Sequence, residues 1–213
     1  MALTGFDPSI VSTSINSVKT AYSDLIRALQ NDTQTKFVGG MKDNWACNEA
    51  QKFFRESFKP SIDELIKGSD DVFESVVNSM NSAAQAWAER TESSYSNVPF
   101  TRSNGKVNID AIQENINGVR GVDEANANQI ANTTLQQVAQ AASSALQQAK
   151  SAVQNCGFIG GAQASNLSNS LETIRTRINE ATNELSTQTK SAISSTVTAY
   201  GDIRGKVENA FNS

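Results

Sequence analysis

The 213-residue chain has no histidine, two cysteines, three prolines and only 19% charged residues. Each scarcity excludes something. Without histidine, the commonest general acid–base and the commonest neutral metal ligand are gone. Cys47 and Cys156 are too few for a disulfide framework and read as ordinary thiols. The charged fraction falls below the roughly 25% usual in globular domains. With 18 Lys+Arg against 22 Asp+Glu the net charge is −4, and no basic block stands out. A phosphate-binding footprint is missing, so no nucleic-acid partner is expected. No run approaches the ~18–20 apolar residues of a membrane span, so none is expected. Met1–Pro8 shows no basic region followed by an apolar stretch, so no Sec-type signal peptide is expected either.

Ser, Thr, Asn, Gln and Ala fill the space that charge leaves, and they carry a helical period. Val11, Ile15, Val18, Tyr22, Leu25 and Leu29 recur at alternating steps of four and three. That is a narrow stripe suited to a near-parallel helical partner. Asp7-Pro8 provides a cap and a first-turn proline. Phe37-Val38-Gly39-Gly40 is expected to end this helix and permit a reversal. A second helix is expected from Asp43 or Asn44 through Phe53, Phe58, Leu65, Phe73 and Met80 to Trp87, with a kink or short break at Pro60.

Residues 96–122 change character and read as a connector. Asn104-Gly105 between two short alternating runs predicts a type I′ hairpin, and Asn108 is placed to cap a brief helix over 110–117. A third helix is expected from about Glu124 to Gln154 on an alanine seam, Ala131, Ala142, Ala145 and Ala149 among them. After Cys156–Gly161, a fourth runs through Leu167, Ile178 and Leu185 to Phe211, weakened at its end by Gly201 and Gly205.

Phe37-Val38-Gly39-Gly40 looks like Phe158-Ile159-Gly160-Gly161, and the longer helices of the two halves match at one constant, different offset. It pairs Trp45 with Phe158, Cys47 with Gly160, Phe54 with Leu167, Leu65 with Ile178 and Trp87 with Tyr200. A large aromatic, one residue, then a small residue opens the longer helix of each half. This is a duplicated hairpin. A connector of roughly 30 residues is far longer than the ~2–8 that a simple up-and-down bundle needs. It reaches back along a helix about 42 Å long, so the two hairpins are expected to lie antiparallel. Cys47 and Cys156 then fall at opposite ends, which excludes a disulfide between them.

Catalytic constellations are absent from the pattern. Asp63-Glu64, Asp70-Asp71 and Glu49/Glu56 read as solvated helix faces rather than a paired-acid cleft. Gly39-Gly40 and Gly160-Gly161 lack the Lys-Ser/Thr of a phosphate loop. Cys47 has no histidine to activate it. No enzyme activity, cofactor or metal is expected.

The stretch Asn44-Trp45-Ala46-Cys47-Asn48-Glu49-Ala50-Gln51-Lys52-Phe53, with Phe58, Pro60 and Leu65 after it, resembles the WXG100 (ESAT-6-like) proteins. The resemblance implies helical hairpins of about a hundred residues turning at Trp-x-Gly, paired antiparallel and exported by type VII (ESX-like) secretion. The expected fold is therefore all-α: two helix-turn-helix hairpins, 1–95 and 123–213, forming an elongated antiparallel four-helix bundle with 96–122 between them. Cys47 stands where the family has glycine, and Phe158 where it has tryptophan. The family's Tyr-x-x-x-Asp/Glu export signal is absent, since Tyr200 is followed four positions later by Arg204 and Tyr95 by Pro99.

The residues expected at the turns and at partner contacts are Trp45, Cys47, Phe158 and Gly160. A large ring there caps the open end of a helical bundle. The expected function is that of a secreted or secretion-associated helical protein acting as export substrate, adaptor or chaperone. Its partners would be a secretion ATPase or a cargo protein, and the chain itself a monomer with an internal pseudo-dimer. It would be cytoplasmic before export and secreted or at the cell surface afterwards. A structural subunit of an extracellular filament, flagellin-like or virion-associated, suits the same composition.

Overall fold

The computed structural model describes residues 6–112 and 121–212. The chain is all-α. In order, α1 (Pro8–Ile26) leads into a π-helical stretch (Arg27–Val38) and a short α2 (Gly39–Met41). A two-residue strand β1 (Trp45–Ala46) precedes α3 (Asn48–Phe53), a second π-helical stretch (Phe54–Phe58) and α4 (Lys59–Arg90). After the connector come β2 (Gly121–Val122), α5 (Glu124–Gln154) and α6 (Gly161–Phe211).

Local chemistry explains the boundaries. The Asp7 carboxylate caps α1 by accepting from the Ser9 amide at 2.8 Å, with Pro8 in the first turn. The expected stop at Gly39-Gly40 does not occur, because both glycines are helical and the reversal falls at 42–44. Gly40 serves proximity instead. A Cβ there would sit 3.2 Å from the Ile130 side chain, tighter than ordinary contact, so glycine eases the close approach of that helix to α5. In the preceding stretch the buried positions Leu29, Thr33 and Phe37-Val38 recur every four to five residues. That is the spacing i→i+5 bonding places on one side.

The longer helix starts later than expected, at Asn48, because Trp45 and Ala46 pair with Val122 and Gly121 in an antiparallel bridge. Pro60 brings no break. The Lys59 amide donates to the Phe54 carbonyl, five residues back, and this wider turn absorbs the missing proline donor within one continuous element.

The connector corrects the sequence reading most. Residues 93–109 contain no strand, so the hairpin predicted at Asn104-Gly105 does not form, although Asn104 takes a left-handed φ of 47°. An isolated two-stranded hairpin is marginal in water. Here side chains of α1 and α4 offer the connector's amides better partners. The brief helix expected over 110–117 is a turn at 110–111, with the Asp110 amide donating to Asn108 Oδ1 at 2.7 Å. Its remainder lies outside the described residues. The third helix falls where expected, and α6 stays helical through Gly201 and Gly205 to Phe211.

Two compact units each draw on both halves of the chain. The first comprises Met1–Ala28, Leu65–Gly105 and Gln140–Asn179. Its core sets Val11, Ile15, Val18 and Leu25 of α1 among Phe73 and Val76 of α4, Ala145 and Ala149 of α5, and Leu171 and Ile174 of α6. Gly68 lets α4 and α6 approach, since a Cβ there would lie 3.3 Å from Ile174. The second unit comprises Leu29–Glu64, Lys106–Ala139 and Glu180–Ser213. It is aromatic: Phe37 stacks on Phe58 at 4.7 Å, and Phe54 lies 4.9 Å from Phe58.

Candidate functional site

The first turn lies in the second unit. The Asn44 amide side chain donates to the Gly40 carbonyl at 2.8 Å, and the Asn44 carbonyl accepts from the Asp123 amide at 2.8 Å. These bonds set Trp45 inward, where it is 0% exposed. Its ring lies 5.6 Å from Phe53 and 6.2 Å from Phe54, and its indole N–H donates to the Thr196 hydroxyl at 3.2 Å. The bond satisfies the one polar atom of an otherwise apolar burial. Cys47 follows with extended backbone, caps α3 without a side-chain bond and is buried. Burial pushes its thiol pKa above the ordinary range.

The second turn lies in the first unit. Gly157 adopts φ +71°, a conformation that glycine takes without strain, and the Phe158 amide donates to the Cys156 carbonyl at 2.9 Å. The Trp87 indole N–H donates to the Phe158 carbonyl at 2.7 Å. Phe6 sets its ring edge-on to Phe158 and to Tyr95, each at 6.2 Å. Cys156 is buried, and that burial pushes its pKa up to about 11. Gly160 is exposed, and a Cβ built there meets nothing within 4 Å. The small residue at Gly160 therefore serves no close approach of the backbone to a neighbour. In this turn the glycine that the backbone requires is Gly157.

The four expected residues thus form two turns, Trp45 with Cys47 and Phe158 with Gly160, each in its own unit. Trp45, wholly buried, offers no surface to a partner. Both cysteines are free thiols.

Sequence reasoning missed a third feature. Residues 95–105 form an extended strap in the first unit, held to α4 and α1 by side chains. Asn81 engages both backbone groups of Val98: its Nδ2 donates to the carbonyl at 2.9 Å and its Oδ1 accepts from the amide at 3.0 Å. The same Oδ1 accepts from the Tyr95 hydroxyl at 2.6 Å. Phe100 packs 4.8 Å from Tyr22, which itself lies 5.2 Å from Phe73. Arg102 reaches Asp71 at 2.7 Å and donates through Nε to Glu74 at 3.0 Å.

Asp70 is 2% exposed, not solvated as its place in an acidic pair suggests. Its Oδ1 accepts from the hydroxyls of Tyr22 and Ser103, and its Oδ2 from the Asn104 amide at 3.0 Å. The Tyr22 oxygen in turn accepts from the Ser103 amide at 2.6 Å. Burial, then the bond to Asp70, raises the Tyr22 pKa. In the second unit the same device recurs at Val107, whose amide donates to Asp63 at 2.8 Å while its carbonyl accepts from Lys59 at 2.7 Å. The signal available in the sequence was the recurrence of Asp63, Asp70, Glu74 and Asn81 at heptad-like steps on one helix, facing a connector without strand partners of its own.

Among the described residues, no group of acidic, histidine or cysteine side chains is placed to hold a metal ion. Among those residues, no helix is long and apolar enough to cross a membrane. The chain matches no protein-family model, and comparison with curated proteins and with solved structures finds no relative.

Proposed function

We propose that the chain is a non-enzymatic, tandem WXG100-like protein of a type VII (ESX-like) system, acting as export substrate, adaptor or chaperone. In this reading its two hairpins form an elongated antiparallel four-helix bundle, an internal pseudo-dimer. Protein partners, a secretion ATPase or a cargo, meet its helix faces. What carries the reading is reciprocity. Trp45, in the turn of the first half, bonds to Thr196 on the long helix of the second. Phe158, in the turn of the second half, accepts from Trp87 on the long helix of the first. Trp45 and Phe158 are equivalent under the repeat, and Thr196 lies one helical turn before Tyr200, the equivalent of Trp87.

Titration of the purified chain against the isolated secretion ATPase of its host tests the partner assignment. Saturable binding supports it, and no binding in the presence or absence of cargo contradicts it.

A second reading, a structural subunit of an extracellular filament, is favoured by one observation. Ile203, Val207 and Phe211, four residues apart on the end of α6, are exposed, Phe211 to 86%. An apolar stripe of that kind marks an interaction site. Ordered polymers in electron micrographs of concentrated protein would favour this reading, and a dispersed monomer the first.

A further inference from the structure

In the first unit, the strap lies in a groove between α1 and α4 and is held by three kinds of recognition, each specific for a different part of an extended peptide. An amide side chain, Asn81, reads backbone N–H and C=O at Val98 as a neighbouring strand would. An aromatic ring, Tyr22, itself packed on Phe73, receives Phe100. An acidic cluster, Asp70, Asp71 and Glu74, receives the Arg102 guanidinium and the amides that follow it. The complementarity is electrostatic as well as steric: Asp71 and Glu74 converge on one cation, and Asp70 takes the donors of Ser103 and Asn104 that follow it.

Asp70 is the informative residue. A carboxylate 2% exposed is costly unless its acceptors are filled, and every donor bonded to it other than Tyr22 comes from the strap. Nothing in the strap between Pro99 and Arg102 is tied by sheet pairing, so its attachment consists of these separable side-chain contacts.

We infer that the α1–α4 groove is a docking site for an extended peptide carrying an aromatic residue two positions before an arginine, which its own strap occupies in cis and a partner's segment of the same chemistry takes in trans. The strap then acts as a competitive cover. This inference stands apart from the export reading and does not rest on it.

The probe is a fluorescent peptide of the strap sequence, residues 95–105, titrated by anisotropy against the full chain and two full-length variants. Phe100→Ala with Arg102→Ala weakens the strap and leaves the groove intact. The expected result is saturable binding at least tenfold tighter than to the unaltered chain, lost on raising salt. Adding Asp70→Asn and Glu74→Gln is expected to abolish it. No saturable binding by the strap variant with wild-type helix content overturns the inference, as does binding that survives the groove substitutions. Hydrogen exchange of the unaltered chain gives an independent test should the variant not fold. The Ser103 and Asn104 amides are expected to exchange at least tenfold faster than buried α4 amides, through local release. Exchange only at the global unfolding rate would overturn the inference.

Discussion

The indole of Trp45 and the hydroxyl of Thr196, 151 positions apart in sequence, meet at 3.2 Å in the buried interior of the second unit. The bond ties a turn in the first half of the chain to the last helix. Replacing Trp45 by Ala removes a fully buried ring and is expected to cost ~3–5 kcal/mol. Thr196→Val leaves the buried indole N–H unpaired and is expected to cost ~1–3 kcal/mol, while Thr196→Ser retains a partner and costs less. Urea unfolding followed by tryptophan fluorescence and circular dichroism checks all three.

Asp70 and Tyr22 act through a shared network. Tyr22→Phe removes one donor to the carboxylate and one acceptor for Ser103, with an expected loss of ~1 kcal/mol or somewhat more. Asp70→Asn turns one acceptor into a donor opposite the Asn104 amide and is expected to cost ~1–3 kcal/mol. Because both touch Ser103, the double variant is expected to lose less than the sum. A double-mutant cycle by urea denaturation measures the coupling.

The fold was legible where the hydrophobic period was strong. Val11 through Leu29, and Leu167 through Leu185, announce helices because burial at three- and four-residue steps leaves no other regular structure. The alanine seam of α5 also falls within its predicted bounds. What stayed hidden depends on tertiary partners. Gly40 looks like a helix breaker, yet it stays helical, and its lack of a Cβ serves the approach to Ile130. Asn104-Gly105 looks like a hairpin turn, but the carboxylates of Asp63 and Asp70 take the amides a strand would have used. At the turns, sequence located the aromatic pair Trp45 and Phe158. It did not show that Gly157, not Gly160, carries the left-handed backbone.

Those two glycines make a direct comparison. Gly157→Ala forces a side chain into φ +71° and is expected to destabilise the chain by ~1–2 kcal/mol. Gly160→Ala meets open space and is expected to change stability by less than about 0.5 kcal/mol. Thermal melts of the two variants beside the parent decide the matter.

The thiols give a pH prediction. Burial raises both cysteine pKa values, to about 11 for Cys156, so the folded state holds these groups neutral. A raised folded pKa means that this contribution to stability is fully present below the unfolded thiol value. It is lost as pH rises through the folded one. Tyr22 and Tyr95, also raised by burial, act in the same direction at higher pH. Stability is therefore expected to hold through neutral pH and fall as pH approaches about 11. Thiol labelling at neutral pH is expected to be slow in the native protein and complete in denaturant, and rapid native labelling would contradict it.

The central claim is export, and its most direct measurement is detection of the chain in culture supernatant of its host, with and without the type VII ATPase. The account predicts appearance only where the ATPase is present. Retention in the cells of both strains would contradict export and leave an intracellular adaptor or chaperone, and appearance in both supernatants would contradict the type VII route and favour the filament reading.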